Sequence, residues 1–80
     1  MFIVYILISQ QNPLKYYIGF TENFDQRLAE HNSGNSLYSK RYAPWKLASF
    51  ITFQDKSKAL AFEKYLKAGS GHAFLKWHLI

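Results

Sequence analysis

The sequence predicts an α+β fold with the element order β-β-α-β-α-α. Three observations carry this. Two runs rich in β-branched and aromatic residues, 2 to 9 and 15 to 20, flank a turn cluster that contains Pro. A third such run covers Lys46 to Phe53. The remaining segments place apolar residues three and four apart behind cap residues, as helices do. Eighty residues with no internal shift in composition make one domain, residues 1–80. A chain this short buries only about 60% of the surface its unfolded form exposes, so its core must be dense. A sequence that is 49% hydrophobic and 19% aromatic can supply that density without covalent staples. The absence of cysteine excludes disulfides and thiolate metal sites, and it fits a reducing compartment such as the cytoplasm.

Each element has its own local logic. Residues 2 to 9 stop at Ser9-Gln10-Gln11-Asn12-Pro13, where a strand cannot continue. The apolar start of the chain is only eight residues long and has no preceding basic region, so neither a membrane span nor a signal peptide is expected. The short connection to residues 15 to 20 suits a hairpin, which sets Tyr5 and Tyr17 on adjacent antiparallel strands. Whether they share a face depends on register, which the sequence leaves open. Thr21 to Asn23 offers caps for a helix over 23 to 31, with Gln26 at the capping-box spacing from Asn23. Phe24 and Leu28 would face the sheet, and Arg27 and His31 would lie one turn apart at its border. Residues 32 to 44 read as a loop, too polar and too broken for regular structure. Asp55 and Ser57 can cap a second helix, about 57 to 68, whose apolar stripe is Ala59, Phe62 and Leu66. Gly69-Ser70-Gly71 interrupts it, and a last helix, about 71 to 79, would pack Phe74, Leu75 and Trp77 back on the domain.

Ten Lys and Arg against five Asp and Glu give a net charge of +5, which favours a polyanionic partner, nucleic acid, over a membrane or an acidic protein. Two tyrosines on neighbouring strands beside an arginine fork suit a phosphate diester. Taken singly, each tyrosine is a common strand residue, and His31 is a common helix-terminal one. Four of the five acids read as caps or solvated groups, whereas Glu63 lies on the margin of the helical stripe. It can form a surface pair with Lys67, worth about 0.3–0.5 kcal/mol. It can instead hold one divalent cation that keeps most of its water shell. A two-metal site would need more acids than the chain brings together. Lys15, Lys40, Arg41, Lys46, Lys64 and Lys67 can follow a phosphate backbone, with Tyr38, Tyr42 and Trp45 for stacking on unpaired bases.

Together, Tyr5, Tyr17-Ile18-Gly19, Arg27, His31, Pro44-Trp45-Lys46-Leu47 and the run Phe62-Glu63-Lys64-Tyr65-Leu66-Lys67 resemble the GIY-YIG nuclease family, most closely its small stand-alone members. The resemblance covers essentially the whole chain. It implies a small three-stranded antiparallel sheet flanked by helices and a divalent-metal-dependent phosphodiesterase site. Carried over by position, it implies that Tyr5, Tyr17, Arg27, His31 and Glu63 are catalytic, with Ile18 and Gly19 as motif residues. Glu63 would be the ligand of one Mg2+, for which Mn2+ can substitute. Arg27 would stabilise the charge of the transition state, and Tyr5 would act as base with His31 assisting, or Tyr17 in its place. Because an ordinary phenol is a poor base at neutral pH, Arg27 or the metal would have to depress it. The five side chains should line one shallow cleft. The first motif reads Ile3-Val4-Tyr5 and lacks the family's first glycine. The family's Asn falls at Leu75, which cannot bind phosphate, leaving His72, Lys76 or His78 as substitutes.

The implied function is a DNA rather than RNA endonuclease, structure-selective or directed to its substrate by a separate protein partner. A non-catalytic nucleic-acid-binding module of the same fold is the alternative, but binding alone does not call for Arg27, His31 and Glu63 together. A scaffold without nucleic acid would explain the aromatics and leave the charge and Glu63 unexplained.

Overall fold

A computed structural model describes residues 1–33 and 37–80, without the side chains of Leu37 and Tyr38. The elements run β1 (Phe2–Ser9), β2 (Tyr16–Thr21), α1 (Phe24–Asn32), α2 (Leu37–Tyr42), β3 (Trp45–Phe53), α3 (Lys56–Leu66) and α4 (Gly69–His78). The strands form one antiparallel sheet in the order β2-β1-β3. Being central, β1 is covered on both faces, which is why it reads as a near-continuous apolar run rather than an alternating one.

Alternation along β1 divides the core in two. Val4 and Ile6, with Ile18 of β2, pack against Ala59 and Leu66 of α3 and Leu75 of α4. Tyr5 and Leu7 point the other way and pack with Trp45, Phe24, Leu28 and Tyr42. Helices α1 and α3 therefore lie on opposite faces of the sheet. Against β3 the register skips Ala48 between the pairs Ile6↔Ser49 and Leu7↔Leu47, a bulge that leaves β1 paired along its length.

The caps follow the sequence. Asn23 Oδ1 accepts from the Gln26 N–H at 3.2 Å, and Asp55 Oδ1 accepts from the Ser57 N–H at 2.9 Å. Helix α3 ends at Leu66, earlier than expected, and α4 starts at Gly69 rather than 71. Gly69 makes that early start possible by adopting φ +56°. Gly71 is buried against the backbone of Tyr65, where a Cβ would overlap the carbonyl.

Three expectations need correction. Residues 37–42 are helical, not loop, because the segment is anchored from outside itself. Trp45 Nε1–H donates to the Ser39 carbonyl at 3.0 Å, and Ser9 Oγ–H donates to the Tyr42 carbonyl. A six-residue helix has too little propensity to be read without such anchors. Trp45 is 2% exposed and serves as core, so it is not a base-stacking platform. Trp77 does not pack back on the domain; it is 82% exposed. It sits two positions past the buried Leu75, about 200° around the helix. Residues 34–36 of the expected loop, and the stacking role given to Tyr38, lie outside the described residues.

Candidate active site

The register decides what the sequence leaves open. Tyr5 pairs with Gly19 and Leu7 with Tyr17, so both tyrosines project from one face. Gly19 is required there. The Tyr5 ring lies across it, and a Cβ at Gly19 would overlap Cζ and the hydroxyl oxygen of Tyr5. The two tyrosine rings stack with centroids 6.3 Å apart, and Tyr17 lies 4.4 Å from the His31 ring.

Helix α1 crosses this face with Phe24 and Leu28 inward, which aims Arg27 and His31 at the tyrosines. Arg27 Nε–H donates to Tyr5 Oη at 3.3 Å, and His31 Nε2 lies 3.0 Å from the same oxygen. On its far side His31 Nδ1 lies 2.8 Å from Ser39 Oγ of α2. Arg27 Nη1 also pairs with Glu30 at 3.0 Å. Four of the five expected residues thus converge.

Glu63 does not touch them. It comes from α3 on the other face, its side chain is 20% exposed, and Oε2 pairs with Lys67 at 3.2 Å. Its charge is nonetheless felt at Tyr5, where it disfavours the phenolate. Among the described residues no three His, Cys, Asp or Glu side chains gather, so a cation position rests on Glu63 alone. A sheltered carboxylate with one lysine partner suits an ion that otherwise binds water and phosphate oxygens.

Two openings lined by described residues border these groups. One, of about 310 Å³, is lined by Tyr16, Tyr17, Ile18 and Lys67. The other, of about 250 Å³, is lined by Phe20, Thr21, Asn23, Gln26, Arg27 and Glu30. Tyr5 and His31 lie behind them, 0% and 5% exposed. Residues of β2 contribute to both openings because the edge strand carries α3 on one face and α1 on the other.

Arg27 by itself does not depress the Tyr5 phenol. Burial pushes the Tyr5 phenol above its ordinary value, outweighing the hydrogen bond and charge of Arg27, which act the other way. Arg27 is held still more firmly protonated, first by Tyr5 and then by Glu30. Burial, then the Arg27 charge, lowers His31 below its ordinary 6.5, with Glu30 opposing, so His31 is neutral at pH 7. A depressed folded pKa means that the unfolded chain takes up the His31 proton first as pH falls. Stability is therefore expected to be full above about pH 6.5 and to decline below it until the folded-state pKa is passed. Replacing His31 by Gln should flatten that decline in urea unfolding between pH 7 and pH 5; an unchanged slope would count against it.

The basic residues separate. Lys15 Nζ and Arg41 Cζ each lie 5.5 Å from the Tyr42 ring, forming one cluster. Lys67 is engaged with Glu63, and Lys40, Lys46 and Lys64 are exposed on α2, β3 and α3. Leu75 is fully buried core. Of its suggested polar substitutes, His72 Nε2 meets Tyr16 Oη at 3.3 Å and Lys76 lies 5.9 Å from the Tyr16 ring, both beside the Tyr17 opening. His78 packs instead on Phe74. Sequence reasoning misses Ser39, which carries no motif signal and becomes visible only when α2 brings it to His31.

A two-tyrosine face built around Gly19, with Arg27 and His31 on one oxygen, has a counterpart among known proteins. The GIY-YIG catalytic domain matches residues 1–73 of the chain. The chain belongs to the GIY-YIG family. Over 76 residues it is 40% identical to a UPF0213 protein of Lactiplantibacillus plantarum, covering 91% of this chain and 73% of that one. Over 69 residues it is 38% identical to the structure-specific endonuclease subunit SLX1 homolog of Giardia intestinalis, covering 79% of this chain but only 19% of that protein. The solution NMR structure of a UPF0213 protein from Bacillus halodurans superposes with a TM-score of 0.57 at 25% identity, covering 99% of this chain and 87% of that one.

Proposed function

We propose that this GIY-YIG protein is an endonuclease that hydrolyses DNA phosphodiester bonds with one divalent cation, Mg2+ or in its place Mn2+, held by Glu63. The observation that carries this reading is the convergence of Arg27 and His31 on the Tyr5 oxygen, at a place where Gly19 leaves room for it. A binding module would need a basic surface but not this buried polar cluster, which is costly to assemble unless each member is satisfied.

The roles follow from exposure. Arg27 is anchored through Nε, and its guanidinium lines the opening beside Asn23 and Gln26, where it can neutralise charge on the non-bridging oxygens of the scissile phosphate. Tyr5 has no exposed surface, which removes it from contact with water. Tyr17, half-buried and with its ring 4.4 Å from that of His31 on the same face as Arg27, is the tyrosine suited to orient the attacking water. Attack forms a new P–O bond and breaks the one to the leaving oxygen, yielding a phosphate monoester and a free hydroxyl. The cation, when bound, supplies Lewis-acid stabilisation of the phosphate and leaving group. Lys15 and Arg41 on Tyr42 extend a positive path for the backbone, to which Lys40, Lys46 and Lys64 can add.

A domain of 80 residues has little surface for base readout, so selectivity for DNA structure, or delivery by a protein partner, fits better than sequence specificity. The SLX1-type relatives, named as subunits of structure-specific endonucleases, support that reading. We assign the activity to the cytoplasm on the cysteine-free composition. No helix among the described residues is long and apolar enough to cross a membrane.

The test is cleavage of supercoiled, branched and single-stranded DNA with Mg2+ or Mn2+, with and without chelator. Cleavage should require the metal, and Glu63→Gln should slow it by about 10²-fold at fixed metal concentration. Binding without cleavage under every condition would favour the non-catalytic module instead.

A further inference from the structure

The polar chain behind the two openings has a direction. Arginine can only donate, so Tyr5 Oη accepts from Arg27 Nε–H at 3.3 Å. The Tyr5 hydroxyl hydrogen must then go elsewhere, and its other hydrogen-bond partner among the described residues is His31 Nε2 at 3.0 Å. Tyr5 is fully buried, so water is not an alternative. Nε2 must therefore be the unprotonated nitrogen of the ring. The neutral imidazole then carries its hydrogen on Nδ1, which donates to Ser39 Oγ at 2.8 Å. Ser39 is itself 2% exposed, and its carbonyl is pinned by the Trp45 indole at 3.0 Å. Donation runs one way, from Arg27 and Tyr5 through His31 to Ser39.

We infer that Ser39 is a positioning residue for the nuclease site: by accepting from His31 Nδ1 it satisfies and so stabilises the tautomer that Arg27 and Tyr5 require, which keeps the Tyr5 oxygen toward Arg27 and fixes the guanidinium. This rests on the endonuclease reading for its effect on rate, but not for its effect on the ring. Without the acceptor, the ring can carry its hydrogen on Nε2 and aim it at Tyr5. The Tyr5 oxygen would then face two donors while its own hydrogen has no partner. Helix α2 is thus more than a connection, since it delivers the acceptor for His31 Nδ1.

The experiment pairs long-range proton–nitrogen NMR of the histidine rings with single-turnover cleavage of DNA in Mg2+. In the wild type the neutral His31 ring should be protonated at Nδ1. Ser39→Ala should shift the ring toward the Nε2–H form and slow cleavage about tenfold at saturating DNA, with DNA affinity within about twofold. Ser39→Thr, which restores the hydroxyl, should recover both. A wild-type ring protonated at Nε2 would overturn the inference, and this arm does not depend on any variant folding. Ser39→Ala that cleaves at the wild-type rate would also overturn it. If the tautomer behaves as expected but the wild type cleaves nothing, the hydrogen-bond chain stands and the endonuclease reading falls.

Discussion

Arg27→Ala is expected to lower the rate of DNA cleavage by about 10³-fold or more while leaving the fold nearly as stable as before. The rate effect follows from what a guanidinium does in phosphoryl transfer. It meets charge that grows on the phosphate oxygens, and arginines so used contribute about 10³–10⁵ in rate. The small stability effect follows from exposure. The Arg27 side chain is 44% exposed, and its ion pair with Glu30 is an i,i+3 surface contact worth at most about 1 kcal/mol. The Tyr5 oxygen keeps His31 as a partner when Arg27 is removed. Arg27→Lys should recover only part of the rate, because an ammonium cannot bond Tyr5 and present a planar fork to the phosphate at once. Single-turnover cleavage beside thermal unfolding checks both halves. A variant within about threefold of wild type, by contrast, would remove Arg27 from the chemistry.

What can be read from the sequence, and what cannot, has a physical explanation. Strands β1, β2 and β3, and the caps Asn23 and Asp55, are written in local composition and spacing, and all appear in the structure. The sharing of a face by Tyr5 and Tyr17 is not legible, since a one-residue slip in register would invert it. Helix α2 is invisible in the sequence because it is held by Trp45 and Ser9, residues distant from it in sequence or on other elements. Trp77 misleads for the opposite reason. Its apolar character suggests burial, but its angular position on α4 points it away from Leu75 and the core.

For the site, the residue identities are legible and their division of labour is not. Spacing puts Arg27 and His31 one turn apart, and both do reach one tyrosine. Spacing does not show that Tyr5 is sealed while Tyr17 lines an opening, because burial depends on how α1 lies across the sheet. An Arg neighbour normally favours a phenolate, so a lowered Tyr5 is the natural expectation. Desolvation of a fully buried ring outweighs it, and the net shift is upward. Ser39 illustrates the same limit, as a serine in the run Tyr38-Ser39-Lys40 has no meaning until α2 folds against α1.

Gly19→Ala is expected to cost both stability and activity, although it adds a single methyl group. The new Cβ would occupy space held by Cζ, Oη and Cε1 of Tyr5. Tyr5 belongs to the central strand and is fully buried, with Phe24 edge-on at 5.7 Å and Tyr17 stacked at 6.3 Å, so its ring has no free direction in which to yield. Overpacking of this kind costs roughly 1–3 kcal/mol. Displacing the hydroxyl from His31 leaves a buried nitrogen unpaired, which costs about a further 1–3 kcal/mol. At about 4–8 °C per kcal/mol for a domain of this size, Tm should fall by roughly ten degrees or more. Cleavage should fall with it even below the unfolding transition, because Arg27 loses the oxygen that anchors its Nε. Gly69→Ala is the informative contrast. Gly69 has φ +56°, but a Cβ added there would meet no atom within 4 Å, so only backbone strain of about 1–2 kcal/mol is added and cleavage by the folded protein should be unchanged. If both variants behave alike, the glycine of the second motif serves the backbone; if only Gly19→Ala loses cleavage, it serves the tyrosine that lies across it.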